Sequence, residues 1–319
     1  MAGDLKSVDP APAGGAGHGG GAAGGARPRA PGWLARVALV LCLVSGGVIA
    51  MDAVLLEPGW IEVRRSLQTH PKLRVNGPDL TLVHLSDLHV AGIGRRERRA
   101  IALVNLARAD VIVVTGDLSR PDSRPEDVEE FLSALQSRRG KFIVWGEIDH
   151  RTGVADSWGP DVVQRAGFVL LSNDSRRIDT PAGRLYLAGI ETPGNSRDDD
   201  VERATAGIPT RDLCILLTHA AVVPTGSAAR GIDFVLAGPA AAGRVRLPML
   251  GAIGLSAGAG TARDGWVVRK ETPPVNISRG LGCPGIPLRF LDRPVIDVIT
   301  LRGGSDRDPR RRGASIRRG

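Results

Sequence analysis

From Leu80 onward, short β-rich runs alternate with helical stretches, and that alternation confines the chain to an α/β architecture. The runs are Leu80–Leu85, Val111–Thr115, Phe142–Trp145, Phe168–Leu171, Leu185–Ala188, Leu213–Thr218, Phe234–Ala237, Trp266–Lys270 and Val295–Leu301. Between two of them, Val128, Phe131, Leu132 and Leu135 fall on one helix face. Ser123 and Glu126 have capping-box spacing before it, and Gly140 is its expected stop. A second helix is expected from Arg98 to Arg108. Aromatic residues make up only 3% of the chain, so the core must be chiefly Val, Leu, Ile and Ala.

What precedes this domain has a different composition. Residues 1–32 are dominated by Gly, Ala and Pro and are expected to be a disordered tail. An apolar run from Val37 to Leu56 follows, broken only by Asp52. Twenty helical residues span roughly 30 Å, the thickness of a bilayer core. Residues 33–57 therefore read as a single transmembrane signal anchor. Arg27, Arg29 and Arg36 on its N-terminal side favour a cytoplasmic N-terminus and an extracytoplasmic domain. Small residues around Ala50 leave a cleaved signal peptide as the alternative. Residues 58–78 read as a lead-in, and 79–301 as the folded domain.

The net charge of +8 invites an anionic partner, but much of it sits at one end. Residues 302–319 hold seven arginines against Asp306 and Asp308, without apolar periodicity. This segment reads as a second disordered tail whose contacts would be anionic lipid or polymer. Nucleic acid is not an expected partner, because aromatic interleaving and a recognised binding module are both missing. Cys42, Cys214 and Cys283 form neither a disulfide framework nor a zinc spacing.

Ligands of α/β sheets gather in the loops past the carboxyl ends of strands. Four runs end there in polar residues: Ser86-Asp87-Leu88-His89, Gly116-Asp117, Gly146-Glu147-Ile148-Asp149-His150, and His219. An Asp-x-His pair offers a hard oxygen and an imidazole nitrogen to one divalent ion. Asp117, after a glycine that permits close backbone approach, is placed to bridge two ions about 4 Å apart, the spacing of two-metal phosphoryl transfer. Each signal alone suits an ordinary turn or cap. Their order after successive strands is what raises them above that.

These segments, together with Val114-Thr115-Gly116-Asp117-Leu118, Leu216-Leu217-Thr218-His219, Val245-Arg246-Leu247-Pro248, Ser278-Arg279-Gly280-Leu281-Gly282 and Gly285-Ile286-Pro287-Leu288-Arg289-Phe290, resemble the calcineurin-like metallophosphoesterases of the bacterial membrane-associated branch. The resemblance covers about Asp79 to Leu301. It implies a two-sheet β-sandwich flanked by helices, with a dinuclear site at one edge. It also implies that Asp87 and His89 bind a first metal, that Asp117 bridges, and that His219 binds the second.

The chain departs from that pattern in two places. Where the family has Gly-Asn-His-Asp, this sequence has Gly146-Glu147-Ile148-Asp149. Where the family has Gly-His-x-His-Gly-Gly, it has Gly238-Pro239-Ala240-Ala241-Ala242-Gly243. By the resemblance, Glu147 replaces a metal-binding Asn, Ile148 replaces the imidazole that assists the phosphate and leaving group, and Pro239 and Ala241 leave one ligand of each metal missing. Glu147 is expected to serve the second metal if its longer side chain reaches, and His150 to stand in for the missing imidazole. His84 alternates to the face opposite Asp87 and His89 and is expected to be a packed or surface residue. Arg244 and Arg246 read as surface arginines. One divalent ion (Mn, Fe or Zn) is expected, with a second in doubt. Two functions follow: a weakened phosphoesterase acting on a phosphomonoester or phosphodiester, or a catalytically inactive pseudoenzyme serving as a membrane-tethered binding or scaffold module.

Overall fold

The computed structural model describes residues 32–191, 198–220, 229–239, 245–247, 251–253, 264–269, 272–285 and 287–304. Almost all of the two expected disordered tails lies outside these residues. The chain forms two compact units, residues 1–46 and 47–319. In the first begins α1 (Trp33–Met51), of which no residue is buried. By length and composition, the apolar stretch Trp33–Gly59 can cross a membrane.

In the second unit, a π-helical turn (Asp52–Leu56) and a 3-10 turn (Glu57–Gly59) lead into the sheets. The strands are β1 (Glu62–His70), β2 (Leu80–Leu85), β3 (Val111–Thr115), β4 (Gly140–Val144), β5 (Phe168–Leu170), β6 (Asp174–Thr180), β7 (Gly183–Gly189), β8 (Leu213–Thr218), β9 (Phe234–Ala237), β10 (Val245–Leu247), β11 (Gly251–Ile253), β12 (Gly265–Val267), β13 (Val275–Ile277) and β14 (Val295–Gly303). Six of them form one mixed sheet in the order β1-β14-β2-β3-β4-β5, and six more form another in the order β12-β13-β9-β8-β7-β6. Strands β10 and β11 pair separately.

The stretch 58–78 is more than a lead-in. It carries β1, which pairs in parallel with β14 from Glu62↔Val295 to His70↔Gly303. The same pairing extends β14 to Gly303, and Arg302 joins Asp79 at 2.6 Å, so the ordered domain runs past residue 301.

Alternation along the strands divides the core into layers. Leu82, Val111, Val113 and Val144 meet Leu187, Leu213, Ile215 and Leu236 between the two sheets. Val83, Leu85, Ile112 and Val114 face the other way, against α2 (Arg95–Leu106), α3 (Pro125–Ser133) and α5 (Gly159–Arg165). Behind the second sheet, Cys214, Leu216 and Val235 pack on Val201 and Ala204 of α6 (Asp198–Thr205). Strands β2, β3 and β8 are thus apolar on both faces, which is why they read as unbroken runs.

The start of α3 differs from expectation. Pro125 occupies its first turn, where a missing N–H costs nothing, and Arg124 is the capping position. Ser123 Oγ instead accepts the Arg120 N–H at 2.7 Å. Gly140 does not end the helix, which stops at Ser133, but opens β4 with φ 144°.

Candidate metal centre

The loops after β2 and β3 are laced together by backbone bonds. Asp87 N–H donates to Gly116 C=O (3.0 Å), His89 N–H to Asp117 C=O (3.1 Å), and Val90 N–H to Leu118 C=O (2.9 Å). From the other side, Leu281 N–H reaches Ser86 C=O (2.9 Å) and Gly282 N–H reaches Asp87 C=O (2.6 Å). These bonds bring Asp87, His89 and Asp117 to one place before any side-chain contact is considered.

All three residues hold φ in the left-handed region, at 49°, 45° and 54°. Asp and His tolerate that region better than most residues, yet each such conformation still costs about 1–2 kcal/mol. Strain concentrated on three clustered, chemically apt side chains points to a site selected for geometry. The glycines permit it. A Cβ on Gly116 would lie 2.5 Å from Gly146 Cα, and one on Gly146 would lie 2.2 Å from Asp117 Oδ1.

The ligand-type atoms of Asp87, His89 and Asp117 all fall within 4.8 Å of one another, and all three residues are buried. His89 Nε2 stands 3.7 Å from Asp87 Oδ1 and 3.9 Å from Asp117 Oδ2. His219, at the tip of β8 in the other sheet, brings its Nε2 to 3.5 Å from the same Asp117 Oδ2. One carboxylate oxygen thus lies between two imidazoles.

Each imidazole is oriented from behind. His219 Nδ1 lies 2.8 Å from Thr115 C=O, and His89 Nδ1 lies 3.3 Å from Ser119 C=O. A carbonyl only accepts, so Nδ1 carries a proton in each ring, and Nε2 is the ring atom turned toward Asp117. His89 Nε2 is fully buried and has no hydrogen-bond partner among the described residues. A buried ring nitrogen without a described partner beside two carboxylates suits a cation, and the N/O donor set suits Mn, Fe or Zn.

Ser86 and Asp149 complete the surround, and neither has a role in the motif reading. Ser86 Oγ lies 2.7 Å from Asp87 Oδ2. The Asp149 carboxylate accepts Leu118 N–H (2.9 Å) and Gly146 N–H (3.0 Å), tying the β3 and β4 loops together. Its sequence signals are the three-residue spacing from Gly146 and its place at the Asp that ends the Gly-Asn-His-Asp of the resembling pattern. Burial, with the nearby charge of Asp117, pushes Asp149 up to about 6. Burial, opposed by His219 and aided by Asp87, also raises Asp117. For His219, burial favours the neutral ring, but Asp87, Asp117 and the Thr115 carbonyl outweigh it and raise its pKa. The centre is a concentrated negative field.

Of the remaining sequence candidates, Glu147 and His84 do not join it. Glu147 opens the short helix α4 (Glu147–Arg151), and its side chain, 71% exposed, pairs with Arg151 at 3.3 Å on the surface. Ile148 is buried and contributes its backbone N–H to Asp117 Oδ1 at 2.8 Å. His150 stands near the end of α4, with Nε2 buried and without a hydrogen-bond partner among the described residues. Pro239 is half-buried, while Ala241 and Arg244 lie outside the described residues, as does the Arg246 side chain. His84 sits between the sheets, with Nε2 2.9 Å from Thr115 Oγ1 and Nδ1 3.1 Å from Asn276 Nδ2. It is a packed residue.

Comparison with known proteins bears on the family. The family model for the calcineurin-like phosphoesterase domain matches residues 80–243, just over half of the chain. The chain is 26% identical over 255 residues to the uncharacterized metallophosphoesterase YkuE of Bacillus subtilis, covering 77% of this chain and 87% of that protein. It is 29% identical over 283 residues to a zebrafish (Danio rerio) transmembrane protein with a metallophosphoesterase domain, covering 82% of this chain and 62% of the zebrafish protein. Among solved structures, TT1561 of Thermus thermophilus aligns with a TM-score of 0.42 at 12% identity, over 64% of this chain and 91% of that one.

Proposed function

Because this chain belongs to the calcineurin-like phosphoesterase family, we propose that it is a membrane-anchored, metal-dependent phosphoester hydrolase of reduced power. The observation that carries the proposal is the convergence of Asp87, His89, Asp117 and His219 on the single oxygen Asp117 Oδ2 and its surroundings. Asp87, His89 and Asp117 would hold one divalent ion, and Asp117 with His219 a second, weaker one. Bound there, such an ion supplies Lewis acidity toward a phosphoryl oxygen and lowers the pKa of a coordinated water.

The chain's own residues do the rest. Ile148 N–H pins Asp117 Oδ1 and leaves Oδ2 for the cation. The Thr115 and Ser119 carbonyls fix the imidazole tautomers. With Ile148 where the resembling pattern carries an imidazole, the positioned acid is missing, and His150, two residues on, is left to stand in for it. The loss of a positioned acid lowers the rate by about 100- to 10,000-fold. The departures at Pro239 and Ala241 cost each ion one ligand, and that at Glu147 weakens the second ion further. The apolar helix and the zebrafish relative's description support anchoring through residues 33–57. The arginines at 27, 29 and 36 favour an extracytoplasmic domain.

Hydrolysis of a generic aryl phosphodiester with added Mn²⁺ tests the proposal. Turnover that disappears in Asp117→Asn supports it, and turnover unchanged by that substitution ends it. The outward turn of Glu147 favours a second reading, a pseudoenzyme that binds without turning over. Two ions per chain in elemental analysis would argue strongly against that second reading.

A further inference from the structure

The end of the apolar helix is built into the folded domain. The Ala53 carbonyl accepts the Arg289 N–H at 2.9 Å, and the Glu57 carboxylate accepts the N–H groups of Leu291 (2.8 Å) and Asp292 (2.6 Å). Glu57 is itself buried, so these bonds are sheltered from water. They stitch two segments, residues 53–60 and 287–293, into one surface.

That surface is apolar where it meets solvent. Leu55, Leu56, Trp60, Leu288 and Leu291 are 39–68% exposed. Arg293 lays its guanidinium 3.7 Å from the Trp60 ring centroid and is itself exposed. Scattered exposed leucines need no explanation, but these adjoin the end of a helix apolar enough to span a bilayer. An indole under an arginine is suited to the boundary between acyl chains and anionic headgroups.

The same loop also reaches the metal centre. The Arg289 guanidinium, fully buried, donates to the Gly280 (3.0 Å), Gly282 (2.8 Å) and Asp292 (2.9 Å) carbonyls. Gly282 in turn holds the Asp87 carbonyl. We propose that residues 55–60 and 287–293 form a platform seated in the bilayer interface, and that Arg289 links this platform rigidly to the Asp87 loop. The inference rests on the anchoring reading given above and adds a second, interfacial contact to it.

The test uses full-length protein reconstituted in phosphatidylcholine/phosphatidylglycerol vesicles brominated either near the headgroups or deep in the chains. Subtracting the emission of Trp60→Phe isolates Trp60 from the other tryptophans. Its emission is expected to be quenched more by shallow than by deep bromines. In parallel, Leu291→Cys is expected to react with a water-soluble maleimide more slowly than Arg176→Cys, an exposed control on β6. The protection should vanish in detergent. Failure to co-float with vesicles sinks the anchoring reading and this inference with it. Co-flotation with unquenched Trp60 and fast labelling overturns the platform alone. Protection of Leu291→Cys that persists in detergent assigns the patch to a second copy of the chain, which also overturns it.

Discussion

Asp117 Oδ2 stands 3.5 Å from His219 Nε2, across the boundary between the two sheets. Asp117 follows β3 of one sheet and His219 follows β8 of the other, so the sandwich itself sets their separation. His89 approaches the same oxygen from a third loop. A cation at this point would be held by the packing of the core rather than by a flexible loop.

Replacing Asp117 with Asn keeps the shape but removes the shared charge. Titration with Mn²⁺ or Zn²⁺ is expected to show affinity falling at least about 10- to 100-fold, since even outer-shell partners are worth that much. The thermal midpoint should hold or rise, because a buried carboxylate is relieved. Equal affinity in both proteins would remove Asp117 from the ligand set.

Asp149 is a support rather than a ligand. In Asp149→Ala, the buried N–H groups of Leu118 and Gly146 lose their acceptor. Two orphaned donors cost about 1–3 kcal/mol each, read as a lower denaturant midpoint. A variant as stable as the native chain would show that water satisfies both donors.

His84 gives the fold an acid sensitivity of its own. Burial holds it down to about 4, against an ordinary value of 6.5. Between those pH values the unfolded chain takes up a proton that the folded chain excludes. Stability from this group is therefore complete above pH 6.5 and falls toward pH 4, by ~3 kcal/mol in all. Asp149, raised to about 6, contributes with the opposite sign in the same window, so the His84 slope is read as the difference between the native chain and His84→Asn in denaturation curves at pH 7 and pH 4.5.

The double substitution Glu147→Asn with Ile148→His returns the donors that the resembling family carries. Aryl phosphodiester turnover is expected to rise by ~100-fold or more, the low end of what a positioned proton donor contributes. No gain, with metal bound, would favour the pseudoenzyme reading.

Strands β2, β3, β8 and β9 were legible to the residue, because burial on both faces leaves unbroken apolar runs. Strand β1 was not. Its sequence Glu-Val-Arg-Arg-Ser-Leu-Gln-Thr-His is largely polar, and only the partner strand β14, distant in sequence, makes it a strand. The short β13 fell below any periodic signal. At the centre, the order of motifs sufficed to bring Asp87, His89, Asp117 and His219 together. The direction of Glu147 depends on how α4 begins, which no local pattern announces. The roles of Ser86, Asp149 and the Gly280–Asp292 loop arise from contacts between segments far apart in the chain.

The most direct measurement is elemental analysis of the full-length protein after exposure to Mn²⁺, Zn²⁺ and Fe²⁺ and removal of excess metal. About one tightly held divalent ion per chain is predicted, absent from the Asp87→Asn/His89→Ala variant. A native chain that retains no ion, or a variant that retains as much, would contradict a metal centre at this place.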